Sequence, residues 1–125
     1  ATKRKMDEIS RVAHAAVGVG RADAAKTAFF ICDLQERFRD FICCFDDVVR
    51  VAQLFVKVAA ELGIFIILTE QYPRAFKETV SELSAVLEEL IPAEQLLKFE
   101  KTKFSMVDDA VLDCLKETAV ITVRP

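Results

Sequence analysis

Glycine and proline are scarce, with three of each in 125 residues. That scarcity excludes a low-complexity or linker-like chain and argues for an ordered globular one, as does a hydrophobic content of 53%. Histidine occurs once, at His14. A lone histidine in a surface helix is rarely a ligand, so the sequence predicts no metal and offers no sign of another cofactor. None of the four cysteines, Cys32, Cys43, Cys44 and Cys114, belongs to a CxxC pair. They read as unpaired and reduced, which fits an intracellular compartment. A zinc site at the adjacent Cys43 and Cys44 would lack further ligands. No apolar run approaches ~20 residues, so no membrane-spanning helix is predicted. The net charge is −3, which gives no hint of nucleic-acid binding, since that would call for a basic face. Internal repeats are absent.

What is present suits one domain, since a chain of this size buries roughly two-thirds of its unfolded surface. Residues 1–26 differ from the rest. They carry Lys3, Arg4, Lys5, Arg11, Arg21 and Lys26 against Asp7, Glu8 and Asp23. Ile9, Val12, Ala13, Ala16 and Val17 recur at helical spacing, and Gly18 and Gly20 stop the pattern. The expectation is an appended basic helix, with organelle targeting as the alternative. The location expected is mitochondrial if that segment directs import, and cytoplasmic otherwise.

Residues 27–125 form the expected domain. A continuous apolar strand covers 27–32. A helix over 45–62 carries Val48, Ala52, Phe55, Ala59 and Leu62 on one stripe, capped by Asp46 or Asp47 and ended by Gly63. A second buried strand covers 64–68. Val80, Leu83, Leu87 and Leu90 mark another helix, closed near Pro92. A short strand at 96–99, a helix from Asp108 through Lys116 and a last strand at 119–123 follow. Strands that are apolar throughout, alternating with helices, predict an α/β fold: a parallel sheet with helices on both faces.

Two residues stand where chemistry is done in such folds. Asp33 closes the first strand, and ligands bind outside the carboxyl ends of strands in open α/β sheets. An acid there is partly desolvated and can serve as a general acid or base; its bland reading is a turn residue. Lys101 follows the short strand and could stabilise a developing oxyanion. Its bland reading, shared with Lys103, is a solvated surface lysine. The loop 69–73 reads as a turn closed by Pro73. Cys32 and Cys114 read as ordinary buried thiols.

Three strings then act together: AFFICDLQERF at 28–38, TEQYP at 69–73 and KTKFSM at 101–106. With them the chain resembles the isochorismatase-like hydrolases, the superfamily that also holds nicotinamidases, and among these the mammalian-type isochorismatase-domain proteins. The resemblance covers about residues 27–123. It implies a Rossmann-type three-layer fold. It also implies a site joining Asp33 and Lys101 to a nucleophilic Cys, with Phe38, Gln71 and Tyr72 on the substrate. The metal-binding nicotinamidases have an Asp and a His in the second loop, where this chain has neither. The family's Gly-rich stretch after TEQYP is replaced by Arg74, Ala75, Phe76 and Lys77, which bulk up the loop. The family's Cys follows the strand at 119–123, where this sequence stops. The expectation is therefore a truncated domain without its nucleophile, silent in catalysis. Its role would be a structural subunit, with partner chains or a second copy covering the incomplete sheet. The alternative is a cysteine hydrolase of a small amide or ester.

Overall fold

The computed structural model describes residues 23–118. The expected basic helix and the strand at 119–123 lie outside the described residues. Three parallel strands form the sheet in the order β1-β2-β3: β1 is Ala28–Cys32, β2 is Phe65–Gln71 and β3 is Leu96–Lys101. The register pairs Ala28 with Phe65, Cys32 with Thr69 and Gln71 with Lys101. The helices are α1 (Phe45–Leu62), the single turn α2 (Pro73–Phe76), α3 (Ser81–Leu90) and α4 (Asp109–Glu117).

Both faces of the sheet are covered, because β2 alternates its side chains between two cores. Ile66 and Leu68 join Ile31, Val49, Val56, Leu83 and Leu87 beneath α1 and α3. Ile67 points the other way and packs with Val111 and Leu115 of α4. Each aliphatic side chain buried in this way contributes about 1.5–3 kcal/mol. The result is the expected α/β sandwich.

Local chemistry sets the element ends. Gly63 terminates α1 in the left-handed region (φ 65°), as the sequence suggested. Gln95 closes the same end by donating its Nε2 to the carbonyls of Ala59 (2.9 Å) and Ile64 (2.7 Å). Asp108 caps α4 through the Ala110 amide.

Several expectations need correction. Neither Asp46 nor Asp47 caps α1; the cap position is Cys44 in a left-handed conformation, and the two acids lie in the first turn. There they complement the positive end of the helix. The buried stripe of α1 is Phe45, Val49, Ala52, Val56 and Ala59. Val48, Phe55 and Leu62 lie on an adjoining, exposed stripe, with Phe55 half uncovered while stacking on Phe29 at 5.1 Å. The helix is apolar around more than half its girth, so periodicity alone could not say which stripe meets the sheet. Residues 69–71 are strand rather than turn, because β3 pairs with β2 as far as Gln71. Residues 74–76 form α2 instead of a bulky loop, and Phe76 stacks on Phe38 at 5.0 Å. Cys32 is exposed, and Cys114 is half-buried. Cys32 belongs to β1, which has a free edge among the described residues. Among the described residues no helix is long and apolar enough to cross a membrane.

Candidate functional site

The carboxyl ends of the three strands bring Asp33, Gln71 and Lys101 together. Parallel register puts the residues that end neighbouring strands on one rim. Asp33 leaves β1 with φ at 55°, a conformation that costs a non-glycine residue roughly 1–3 kcal/mol unless its surroundings enforce it. Its amide still donates to Thr69 O (3.1 Å), and its Oδ1 accepts from the Thr69 hydroxyl (2.8 Å). Lys101 is the last residue of β3, not the first beyond it, and its side chain is 3% exposed. Its ammonium donates to Asp33 Oδ2 (2.6 Å) and Gln71 Oε1 (2.9 Å), and faces the carbonyls of Lys103 and Phe104 (3.1 Å each). An ammonium has three N–H groups, so four acceptors saturate it.

The other candidates divide. Gln71 is buried, and its amide group bridges Lys101 and Thr102 O. Tyr72 is exposed and left-handed (φ 33°). With Pro73, Glu100, Lys101, Thr102, Lys103 and Asp108 it lines a cavity of about 300 Å³. Phe38 is packed against the main core and on Phe76, and does not line that cavity. Among the described residues no group of three or more His, Cys, Asp or Glu is placed to hold a metal ion.

Two buried polar residues on this rim escaped the sequence reading. Gln35 has no exposed surface. Its Nε2 donates to the carbonyls of Gln71 (2.9 Å) and Lys77 (2.6 Å), and its Oε1 accepts from the Gln71 amide (2.7 Å). It stitches the segment after β1 to the segment after β2. Glu70 is 1% exposed. It accepts from the Thr79 amide and hydroxyl (2.8 Å each) and pairs with Lys98 (2.9 Å). Only Gln35's place two residues after Asp33, in a string otherwise apolar or charged, could have flagged it.

Although Cys32 is exposed as a residue, partial desolvation of its thiol and then the Asp33 carboxylate push its pKa up, against smaller opposing pulls from Thr69 and Lys101. Burial alone would raise the pKa of Glu70, but the Thr79 amide, Lys98 and the Thr79 hydroxyl together outweigh it and hold it below the ordinary 4.5. A carboxylate depressed in the folded state contributes stability above its unfolded pKa and loses it as pH falls through the folded value. Glu70 should therefore add to an acid-side loss that begins near 4.5 and runs downward. Glu70→Gln is expected to flatten that limb: its destabilisation, read from urea midpoints, should be larger at neutral pH than at pH about 3. Equal destabilisation at both would show that Glu70 does not titrate with folding.

Residues 27–123 match the isochorismatase domain family. The chain is 43% identical over 89 residues to isochorismatase domain-containing protein 1 of Salmo salar, covering 71% of this chain and 29% of that protein. It is 39% identical over 99 residues to isochorismatase family protein 1A of Dictyostelium discoideum, covering 79% and 47%. Among solved structures, the MAR1 ribonuclease from Caenorhabditis elegans superposes with a TM-score of 0.69 at 36% identity, over 78% of this chain and 48% of that one. The chain thus spans less than half the length of these relatives.

Proposed function

This chain belongs to the isochorismatase family, and we propose that it serves as a catalytically silent domain, a structural or interaction subunit of a larger assembly. The observation that carries this reading is the closure of the Asp33–Lys101 pair upon itself. The Lys101 ammonium already faces four protein acceptors, so no proton is left over for a developing oxyanion. Cys32 is the thiol that feels the pair, and desolvation and the Asp33 carboxylate raise its pKa, away from the thiolate that a working nucleophile needs. Further support comes from the uncovered stripe of α1. Val48, Val51, Phe55, Val58 and Leu62 are all exposed, at alternating spacings of three and four. That is the seam by which one helix packs on another, and exposed apolar patches of this kind mark interaction sites. Other subunits or a second copy would cover it. The free cysteines among the described residues fit an intracellular location, mitochondrial if residues 1–26 direct import and cytoplasmic if not.

A second reading is favoured by the cavity beside Lys101 and by the left-handed Asp33. In it the chain carries part of a cysteine hydrolase for a small amide or ester. Asp33 takes a proton and Lys101 holds negative charge. Tyr72, Gln71 and Phe38 contact the substrate, and the thiol comes from outside the described residues. The Caenorhabditis elegans neighbour is named a ribonuclease, which makes RNA a bond to test as well. The net charge of −3 does not by itself favour a polyanion.

The purified chain is expected to leave nicotinamide, isochorismate, simple esters and single-stranded RNA unchanged above background. Turnover that disappears in Asp33→Asn would replace the silent reading with the hydrolase. Sedimentation at micromolar concentration is expected to show an oligomer, or a protein soluble only with a partner. Phe55→Glu should shift the oligomer towards monomer. A dispersed wild-type monomer that binds no hydrophobic dye would remove the subunit role.

A further inference from the structure

Adjacent cysteines do not ordinarily place their sulfurs together. In a strand, successive side chains point to opposite faces, and in a helix neighbouring residues do not face each other. Cys43 and Cys44 sit between a turn and the first turn of α1. Cys44 has φ 55° and ψ 34°, left-handed, and its carbonyl accepts from the amides of Asp47 and Val48. The conformation turns both side chains the same way. Their sulfurs are 3.5 Å apart, and both residues are exposed. A disulfide needs about 2.05 Å, and it usually spans Cα atoms farther apart than the roughly 3.8 Å of trans-linked neighbours. Closing the gap therefore takes rotation of the two surface side chains and a twist of the peptide between them, which makes the bond strained and readily reduced.

We propose that Cys43 and Cys44 form a surface dithiol that is oxidised reversibly, by exchange with a low-molecular-weight disulfide, to a disulfide between the two neighbours. The thiolate of one cysteine attacks a sulfur of the external disulfide, forming a mixed disulfide and expelling one thiolate. The second cysteine, as its thiolate, attacks the protein sulfur of that mixed bond and expels the other. Both protein thiol protons end on the released thiols or the solvent. The protein loses two hydrogens, and the external disulfide is reduced to two thiols. Ring closure then fixes the residue that starts α1. Phe45, which follows, carries the Arg39 guanidinium over its ring at 5.5 Å, and Arg39 in turn bonds Glu36, Asp46 and Glu82. The proposal stands apart from the catalytic reading, since neither cysteine touches the Asp33–Lys101 pair.

The test uses the full chain and oxidised glutathione. Cleavage after Arg39 and Arg50 releases residues 40–50, which hold Cys43 and Cys44 and no other cysteine. That peptide is expected to lose two hydrogens, to keep no glutathione, and to recover its mass with dithiothreitol. Ring formation should be several-fold faster in the native chain than in urea. In Cys43→Ser and in Cys44→Ser the remaining thiol should retain one glutathione. A lasting glutathione adduct on the wild-type peptide would overturn the proposal. So would equal rates in native and unfolded chain, or oxidation of Cys32 or Cys114 while residues 40–50 stay reduced.

Discussion

Lys101→Met is expected to destabilise the folded chain by about 3–5 kcal/mol, the usual cost of removing one partner of a buried ion pair. The methionine keeps most of the aliphatic bulk, so the loss reports the charge. Asp33 would be left as an uncompensated carboxylate with only the Thr69 hydroxyl on its side chain. Gln71 Oε1 and the carbonyls of Lys103 and Phe104 would lose the same donor. A surface pair such as Arg50–Asp47, with both side chains about two-thirds exposed or more, is worth only about 0–1 kcal/mol and makes a fair control. Urea denaturation with a thermodynamic cycle through Asp33→Asn reads the coupling. If the double variant is as unstable as the two single losses added together, the pair is not a unit.

Gln35→Ala is expected to cost about 3–5 kcal/mol, a large share of the 5–15 kcal/mol that holds a domain of this kind together. The residue has no exposed surface, and it satisfies one backbone amide and two backbone carbonyls. Each buried group left without a partner costs about 1–3 kcal/mol, before any cavity is counted. Hydrogen exchange at the Gln71 amide should accelerate in step with the loss of stability. A Gln71 amide as protected as in the wild type, with stability lowered by less than about 1 kcal/mol, would mean that water replaces the side chain.

The apolar runs around Ile31 and Ile67 announced buried parallel strands, and Gly63 announced the end of α1. These are local signals, each written in a few consecutive residues. The extension of β2 through Thr69, Glu70 and Gln71 was not legible, because three polar residues in a row resemble a turn. What makes them strand is distant: Lys98 and Thr79 converge on Glu70, and Gln35 converges on Gln71. The orientation of α1 failed for a different reason. Its two apolar stripes differ by one residue in phase, and only the position of the sheet selects between them. Asp33 and Lys101 were singled out through the strings around them. Composition and period alone favoured a turn residue and a solvated lysine.

The Asp33–Lys101 contact spans 68 residues of chain. It exists only when β1 has joined β2 and β3 has joined β2 from the other side. A contact with so long a loop is among the last to form, since closure entropy is lost before the bond can repay it. Interactions missing from the folding transition state set the rate of escape from the native basin rather than the rate of arrival. The ion pair at the rim therefore acts as a latch on lifetime, and in Lys101→Met the lost stability is expected in the unfolding limb of the chevron, with the folding limb unmoved.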